Sequence, residues 1–408
     1  MATVYPLCAY RPRPELAAEV ASVPYDVVSR DEAVALAAGH KHSFLHVTKP
    51  EIDLPPATDP YGDAVYTHGR HALDELIATG VLMHDAEPHF YVYELTMGQH
   101  RQTGIVLNAS CAEYERNIVR KHEHTRPDKE NDRVRHIEVT HAQTGVVFLV
   151  HRDHTGLAGP ETRAMAHAPI ADFVAPDGVG HRLWLVQTPA DNAVIQRAFA
   201  EMGPVYIADG HHRSAAASRV AAARHQQGRE QSADAFLSVI FPHHQMKILD
   251  YNRVVRDLHG LEKSALLARL ATAFAVEDSP GQVHPARPGE FGMYLVGHWH
   301  RLGIKPELIP DDPVASLDVS LLSDHLLAPI LGIADLRRDK RIDFVGGIRG
   351  LAELEKRVDS GEMAVAFALH PTRMDQLMAV ADSNNVMPPK STWFEPKLAD
   401  GLVSHLLD

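Results

Sequence analysis

Short apolar runs, some alternating with polar residues and some helically spaced, succeed one another irregularly along this chain. Ser29-Arg30-Asp31-Glu32 ahead of AVALAAG is the pattern of a capped helix that stops at Gly39. Residues 43–48 (SFLHVT) read as a strand, 51–60 as a Pro-rich loop, and 61–79 as a helix stopped by Gly80. FYVYELT at 90–96 and RQTGIVL at 101–107 predict a β-hairpin around Gly98. Strands follow at 144–151 and 182–187, then a helix at 192–202, a strand at 205–208, an alanine-rich helix at 214–224 and a strand at 236–241. From Leu261 the pattern gives a helix, a hairpin at 293–296 and 298–304, a helix at 318–331, strands at 341–345 and 363–369, a helix at 371–382 and a loop at 387–397. Hairpins mixed with helices predict an α+β (mixed α/β) fold rather than a doubly wound sheet. Three regions are expected: 1–108, a core at 109–260, and 261–408 packing on it.

The polar residues concentrate in three clusters. The first, Asp209-Gly210-His211-His212-Arg213, fills the predicted turn between a strand and the helix beginning near Ser214. A helix start presents free backbone N–H groups, and Arg213 adds charge, so the turn suits an anion, above all phosphate. Gly210 lets the backbone turn and lets a ligand come close. The competing reading is a plain surface turn with an Asp cap. The second cluster runs from His122 to Arg133. If helical, Arg126, Lys129 and Arg133 share a face suited to a polyphosphate, and Glu123 beside them can accept a proton. Here the alternative is a solvated charged helix. The third is Lys390-Ser391-Thr392, stiffened by two prolines, which can offer a cation and two hydroxyls to phosphate or simply anchor the C-terminal segment. The three clusters are expected to meet in one cleft, and Pro24, Tyr25 and Asp26 to line it as substrate contacts.

Composition narrows the classes. The chain has 408 residues and a net charge of −13, against a nucleic-acid binder that works by bulk attraction. Its two cysteines, Cys8 and Cys111, make neither a disulfide framework nor a cysteine-rich zinc site, which points to a reducing, cytoplasmic setting. The N-terminal stretch lacks a signal-peptide core, and no window approaches the roughly 18 apolar residues of a membrane span. Zinc on His211-His212 and His122-x-His124 is disfavoured, since adjacent histidines on a helix diverge and no HExxH is present. There is no Walker loop and no GxGxxG. Self-association is left open.

VPYDVVSRDEA, KHEHTRPDKENDR, YIADGHHRSAAA, RIDFVGG and MPPKSTWFEPKLADGL together resemble the bacterial and archaeal family called domain of unknown function 1015, over nearly the whole chain. The DGHHR turn before an alanine-rich helix also resembles the phosphate-binding turn of the ParB/sulfiredoxin-like superfamily, and within it that of the free serine kinases. That resemblance implies a ParB/sulfiredoxin-like core with family-specific additions. It implies Glu123 as catalytic base, with His122 and Asp209 beside it. Gly210, His211, His212, Arg213 and Ser214 would hold nucleotide phosphates. Mg2+ with ATP or ADP would be the cofactor set. The kinases carry Lys-Pro-His-Glu where this chain has Lys121-His122-Glu123, without the proline.

The expected activity is therefore transfer of a phosphoryl group from a nucleotide to a small hydroxyl compound such as free serine. The alternatives are a ParB-like nucleotide-binding regulator without small-molecule chemistry, and a phosphate-ester hydrolase using His211 or His212.

Overall fold

A computed structural model describes residues 2–228 and 232–407, which form two compact units: 1–246 with 396–408, and 247–395. In the first, the strands are β1 (Val4–Tyr5), β2 (Tyr91–Met97), β3 (His100–Ser110), β4 (Val119–Arg120), β5 (Val147–His151), β6 (Ala171–Val174), β7 (Gly180–Leu185), β8 (Val205–Asp209) and β9 (Ala235–Pro242). They make one mixed sheet in the order β4-β8-β5-β9-β3-β2-β7-β6, with β1 beside β3. β4 with β8 and β5 with β9 are parallel, and the other pairs are antiparallel. A mixed α/β fold is what the irregular pattern predicted. Residues 1–108 and 109–246 both contribute strands to this sheet.

The central strands are apolar on both faces, and helices cover one of those faces. Ile105, Leu149, Ile207 and Ile240 are sealed from solvent and pack in one core with Ile195 and Phe199. Burying each such side chain contributes about 1.5–3 kcal/mol. The helices are α1 (Arg30–Ala37), α2 (Asp63–Ala78), α3 (Pro127–Thr140), α4 (Pro189–Met202) and α5 (His211–Gln226). α1 carries the expected capping box: Glu32 N–H donates to Ser29 Oγ, and Ser29 N–H donates to Glu32 Oε2. α5 is alanine-rich because it is packed closely: Ala215, Ala216, Ala217 and Ala221 are buried, and Ala216 and Val220 meet Ile137 of α3.

The second unit adds β10 (Tyr251–Val255), α6 (Lys263–Leu270), β11 (Phe274–Ser279), β12 (Glu290–Leu295), β13 (His298–Ile304), β14 (Ile342–Gly346), α7 (Leu351–Asp359), β15 (Val365–Leu369) and α8 (Met374–Asp382). Its antiparallel sheet has the order β11-β13-β12-β15-β10-β14.

Several local expectations give way. SFLHVT contains a helical turn, Leu45–Thr48, not a strand. A short apolar run fits either period, and here Phe44, Leu45 and Val47 are all buried. The strand expected at 144–151 begins only at Val147. The helix expected at 318–331 runs as Asp318–Leu322 and continues as a wider π turn, Ser323–Leu327. Within the loop at 387–397, Trp393–Glu395 pairs with Lys247–Leu249. Among the described residues, no helix is long and apolar enough to cross a membrane.

Candidate functional site: the β8–α5 turn

β8 delivers Asp209 to its end, and a bulge between Ile207 and Asp209 shifts its pairing with β5. Gly210 alone makes the turn, in the left-handed region (φ 94°, ψ 29°). The helix starts at His211, three residues before the expected Ser214, so His211, His212 and Arg213 occupy its first turn. Local propensity misses this start because Gly210, not a side-chain cap, fixes it. The first amides of α5 lack intrahelical acceptors, as at any helix start, and Ser214 N–H is bonded to Gly210 O.

Arg213 is buried. Its Nη1 donates to Val146 O, and its Nη2 lies 3.7 Å from Asp26 Oδ2 and 3.9 Å from Asp209 Oδ1. Two glycines admit it. A Cβ on Gly145 would stand 3.0 Å from Arg213 Cδ, and one on Gly210 would stand 3.2 Å from Nε. Burial alone would lower the guanidinium pKa, but Asp26, Asp209 and Asp400 together hold it above its ordinary value. Asp209 accepts from Gly210 N–H at 2.7 Å and from Lys397 Nζ at 3.0 Å. Burial works to raise its carboxyl pKa, yet Lys397 and Arg213 hold it well below the usual range.

The second cluster meets this turn from β4 and the start of α3. His122 N–H approaches His211 Nε2 at 3.5 Å, from 89 residues away, and the two rings stand edge to face at 4.5 Å. Glu123 Oε2 lies 3.6 Å from His211 Nδ1. These contacts assign His211 the tautomer with its proton on Nδ1, facing Glu123. Arg126 N–H donates to His212 Nε2 at 3.0 Å. Burial pushes the His122 imidazole down to about 4 and His211 well below its ordinary value, and it lowers His212 as well. All three are neutral near pH 7, so the fixed positive charge of the turn rests on Arg213. A bound phosphate would raise the histidines again.

The cations of the second cluster do not share one face. Arg126 precedes α3 as its N-cap and pairs with Asp128 in solvent at 2.7 Å. Lys129 donates to Tyr61 Oη at 3.0 Å. Arg133 is buried, bonded to Asp132 Oδ2 through Nε (3.0 Å) and Nη2 (2.9 Å), and lies 3.9 Å over the Tyr25 ring. Helical spacing holds for Lys129 and Arg133, but α3 packs its inner side while Arg126 stands outside the helix. Pro24 is buried, Tyr25 partly so, and Asp26 exposed beside Arg213. A narrow cavity is lined by Tyr25, Arg133, Gly145, Thr144 and Arg213. Ser214 is buried and its hydroxyl turns back to Gly210 O (3.3 Å) and His211 O (3.1 Å).

Lys390, Ser391 and Thr392 belong to the second unit. Lys390 has φ 60° and its Nζ lies 5.6 Å from the Tyr251 ring, while Ser391 Oγ donates to Pro388 O at 2.6 Å. Within the first unit, the C-terminal residues that reach the turn are Lys397 and Asp400, seven and ten positions after Lys390 along the sequence. Paired bonds between Ser22 and Asp400 (3.0 and 2.9 Å) bring that segment in. Asp400 is 1% exposed and neither carboxylate oxygen has a hydrogen-bond partner among the described residues. Burial, opposed by Arg213 and reinforced by Asp26, raises its carboxyl to about 7. Lys397-Leu398-Ala399-Asp400-Gly401 lies within the motif MPPKSTWFEPKLADGL, so the signal was present, but only long-range pairing selects those residues.

Among the described residues, the histidines of the turn and His122 and His124 make no three-ligand metal group.

No curated protein matches the chain by sequence. Among solved structures, a conserved hypothetical protein from Pyrococcus furiosus is 14% identical, with 74% of this chain and 94% of that one covered and a TM-score of 0.36. A free serine kinase in complex with AMP is 13% identical, with 73% and 92% covered and a TM-score of 0.34. SbnI with C-terminal truncation from Staphylococcus aureus is 9% identical, with 73% and 86% covered and a TM-score of 0.41. Likenesses this distant carry neither activity nor ligand over to this chain. A family model described as "Protein of unknown function (DUF1015)" matches residues 4–320, well over half of the chain, and the protein belongs to that family.

Proposed function

We propose that the first unit transfers a phosphoryl group from a nucleotide to a small hydroxyl compound such as free serine. The observation that supports this most is the meeting of the His122-Glu123 segment with the DGHHR turn. The turn offers an anion backbone amides at a helix start and a buried guanidinium. Glu123, 39% exposed at its side chain, is open to an incoming hydroxyl and is oriented by His211. Phosphoryl transfer asks mainly for positioning and positive charge, with a base to take the hydroxyl proton. The motif resemblance to the free serine kinases points the same way.

In this reading Arg213 and the first amides of α5 hold phosphate oxygens, and Glu123 takes the acceptor's proton as its oxygen attacks. His211 is a positioning residue for Glu123. Mg2+ bound to the phosphates would add charge neutralisation, and Asp26, an exposed carboxylate beside Arg213, is the residue fit to meet it.

Glu123→Gln keeps the shape and removes the base. Turnover with serine and ATP or ADP should fall by about 10²–10⁴ while nucleotide binding persists. Unchanged turnover at saturating acceptor removes Glu123 from the chemistry. Nucleotide binding without turnover by the wild-type protein for any hydroxy amino acid removes the kinase reading.

A further inference from the structure

The parallel neighbours β5 and β9 end side by side, with Phe241 opposite Val150 and Pro242 opposite His151. The chain therefore leaves both strands at one place. His151-Arg152-Asp153-His154 follows on one side, and Pro242-His243-His244 on the other, in a single helical turn, His243–Gln245. This is the far end of β5 from the DGHHR turn, because β8 runs antiparallel to β5 and sets Asp209 opposite Phe148.

Asp153 Oδ1 lies 2.5 Å from His244 Nδ1 and 3.3 Å from His243 Nδ1. One ligand atom from each of the three residues lies within 4.8 Å of the others. The turn is tied down by Gln245, whose Oε1 accepts Thr103 N–H of β3 at 2.7 Å. His243 Nδ1 is sealed from solvent and makes no hydrogen bond among the described residues, although it faces Asp153. Two adjacent imidazoles diverge on a regular helix. Here both bring Nδ1 to the same carboxylate.

We propose that Asp153, His243 and His244 form a binding site for a divalent transition-metal ion of the zinc class, separate from the phosphate turn. Two imidazole nitrogens and one carboxylate oxygen suit such an ion, whereas Mg2+ and Ca2+ prefer oxygen alone. Three protein ligands leave a coordination position for water or another small ligand. The His–Asp contacts present without metal hold the three side chains near the arrangement an ion needs.

The test is equilibrium dialysis of the metal-stripped full chain against Zn2+, with Co2+ as a spectroscopic probe. The wild-type protein should take up one more tightly held ion than the triple variant Asp153→Asn, His243→Gln, His244→Gln. Each single variant should weaken that ion by more than about tenfold, the least that loss of an outer-shell partner costs. The Co2+ form should show the visible absorption of a four- or five-coordinate ion, absent in the triple variant. Thermal melts identify any variant that fails to fold; its place is then taken by His244→Gln alone, whose side chain is 57% exposed. With 28 histidines in the chain, adventitious uptake elsewhere is the rival outcome. Equal stoichiometry and affinity in wild type and folded variants overturns the proposal, as does no Zn2+ uptake by the wild type. Neither outcome bears on the phosphate turn.

Discussion

Arg213 in the first unit and Arg253 in the second are both buried, yet their neighbours are opposite in kind. Arg253 stands on β10 and is fully sealed from solvent. It donates to the carbonyls of Tyr251 and Lys390 and lies 5.1 Å from the Phe344 ring. Among the described residues no carboxylate offsets its charge, and burial brings its pKa down to about 10. Arg213 faces Asp26, Asp209 and Asp400, two of them at long range for ion pairs. Its Nε makes no hydrogen bond among the described residues. One guanidinium is saturated by carbonyls and rings, as a structural group is. The other donates to one carbonyl, Val146 O, and otherwise faces carboxylates at a distance, one of them exposed. Burial alone therefore does not distinguish the two arginines; the type and spacing of their partners do.

The largest expected effect breaks the structural side of this contrast. Arg253→Ala strands two carbonyl acceptors and empties the space between the rings, which should cost about 3–5 kcal/mol. Arg253→Met refills the volume and should cost less. Urea denaturation followed by tryptophan fluorescence reads this, since Trp299 and Trp393 lie in the second unit. A loss below about 1 kcal/mol for the alanine variant would mean the carbonyls find other donors, and Arg253 would not be a framework residue.

Asp400 sharpens the other side. Its folded-state pKa is raised to about 7, above the unfolded value near 4, so the folded protein holds the extra proton between them. Wild-type stability should therefore fall through this group as pH rises from about 4 to 7. Asp400→Asn lacks that dependence. Its stability relative to wild type should climb across the window by a total on the order of 2–4 kcal/mol. The buried neutral histidines, His122 and His136 at about 4, act in the opposite direction but are common to both proteins. Asp318, also raised to about 7, cancels likewise. A pH-independent difference would show that Asp400 stays ionised beside Arg213.

How much of this was legible beforehand follows from the range of the interactions. The strand, glycine and polar first turn of DGHHR are local, and the pattern in the sequence exposes them. The contact of Glu123 with His211 is not local, and only the motif resemblance hinted at it. Lys397 and Asp400 lie inside a motif the sequence displays, but the Ser22–Asp400 pairing that brings them to the turn is long-range, so the motif alone does not single them out. The Asp153–His243–His244 group depends on the parallel register of β5 and β9, which no periodicity encodes. Arg253 sits in an apolar strand where a charge looks misplaced, and only the third dimension supplies its carbonyls.

Arg213→Gln removes the buried cation from the DGHHR turn. If Arg213 meets phosphate directly, nucleotide affinity should drop roughly 10- to 150-fold, the value of a charge-assisted contact. Because the site is buried, that loss should change little with added salt. Calorimetric titration with ADP at low and high salt measures both quantities. An affinity within twofold of wild type would reassign Arg213 to holding Asp209 and Asp400 in place.

Arg126 supplies the smallest effect and the cleanest contrast in exposure. Its guanidinium is 66% exposed and paired with Asp128, so solvent and that carboxylate already offset most of its charge. As an outer contact for phosphate it should contribute about 0.2–1 kcal/mol, which is fivefold in affinity or less. Screening shortens the reach of an exposed charge to about 3 Å at 1 M salt, so even this should vanish there. Arg126→Ala keeps the backbone N–H that bonds His212 Nε2, and the first turn of α5 should stay as it is. The same ADP titrations should thus give a small, salt-sensitive loss for Arg126→Ala and a large, salt-resistant one for Arg213→Gln. If the two variants respond alike, the guanidinium at Arg213 acts through the general field of the surface rather than by direct contact, and the distinction between the buried and exposed cations of this site disappears.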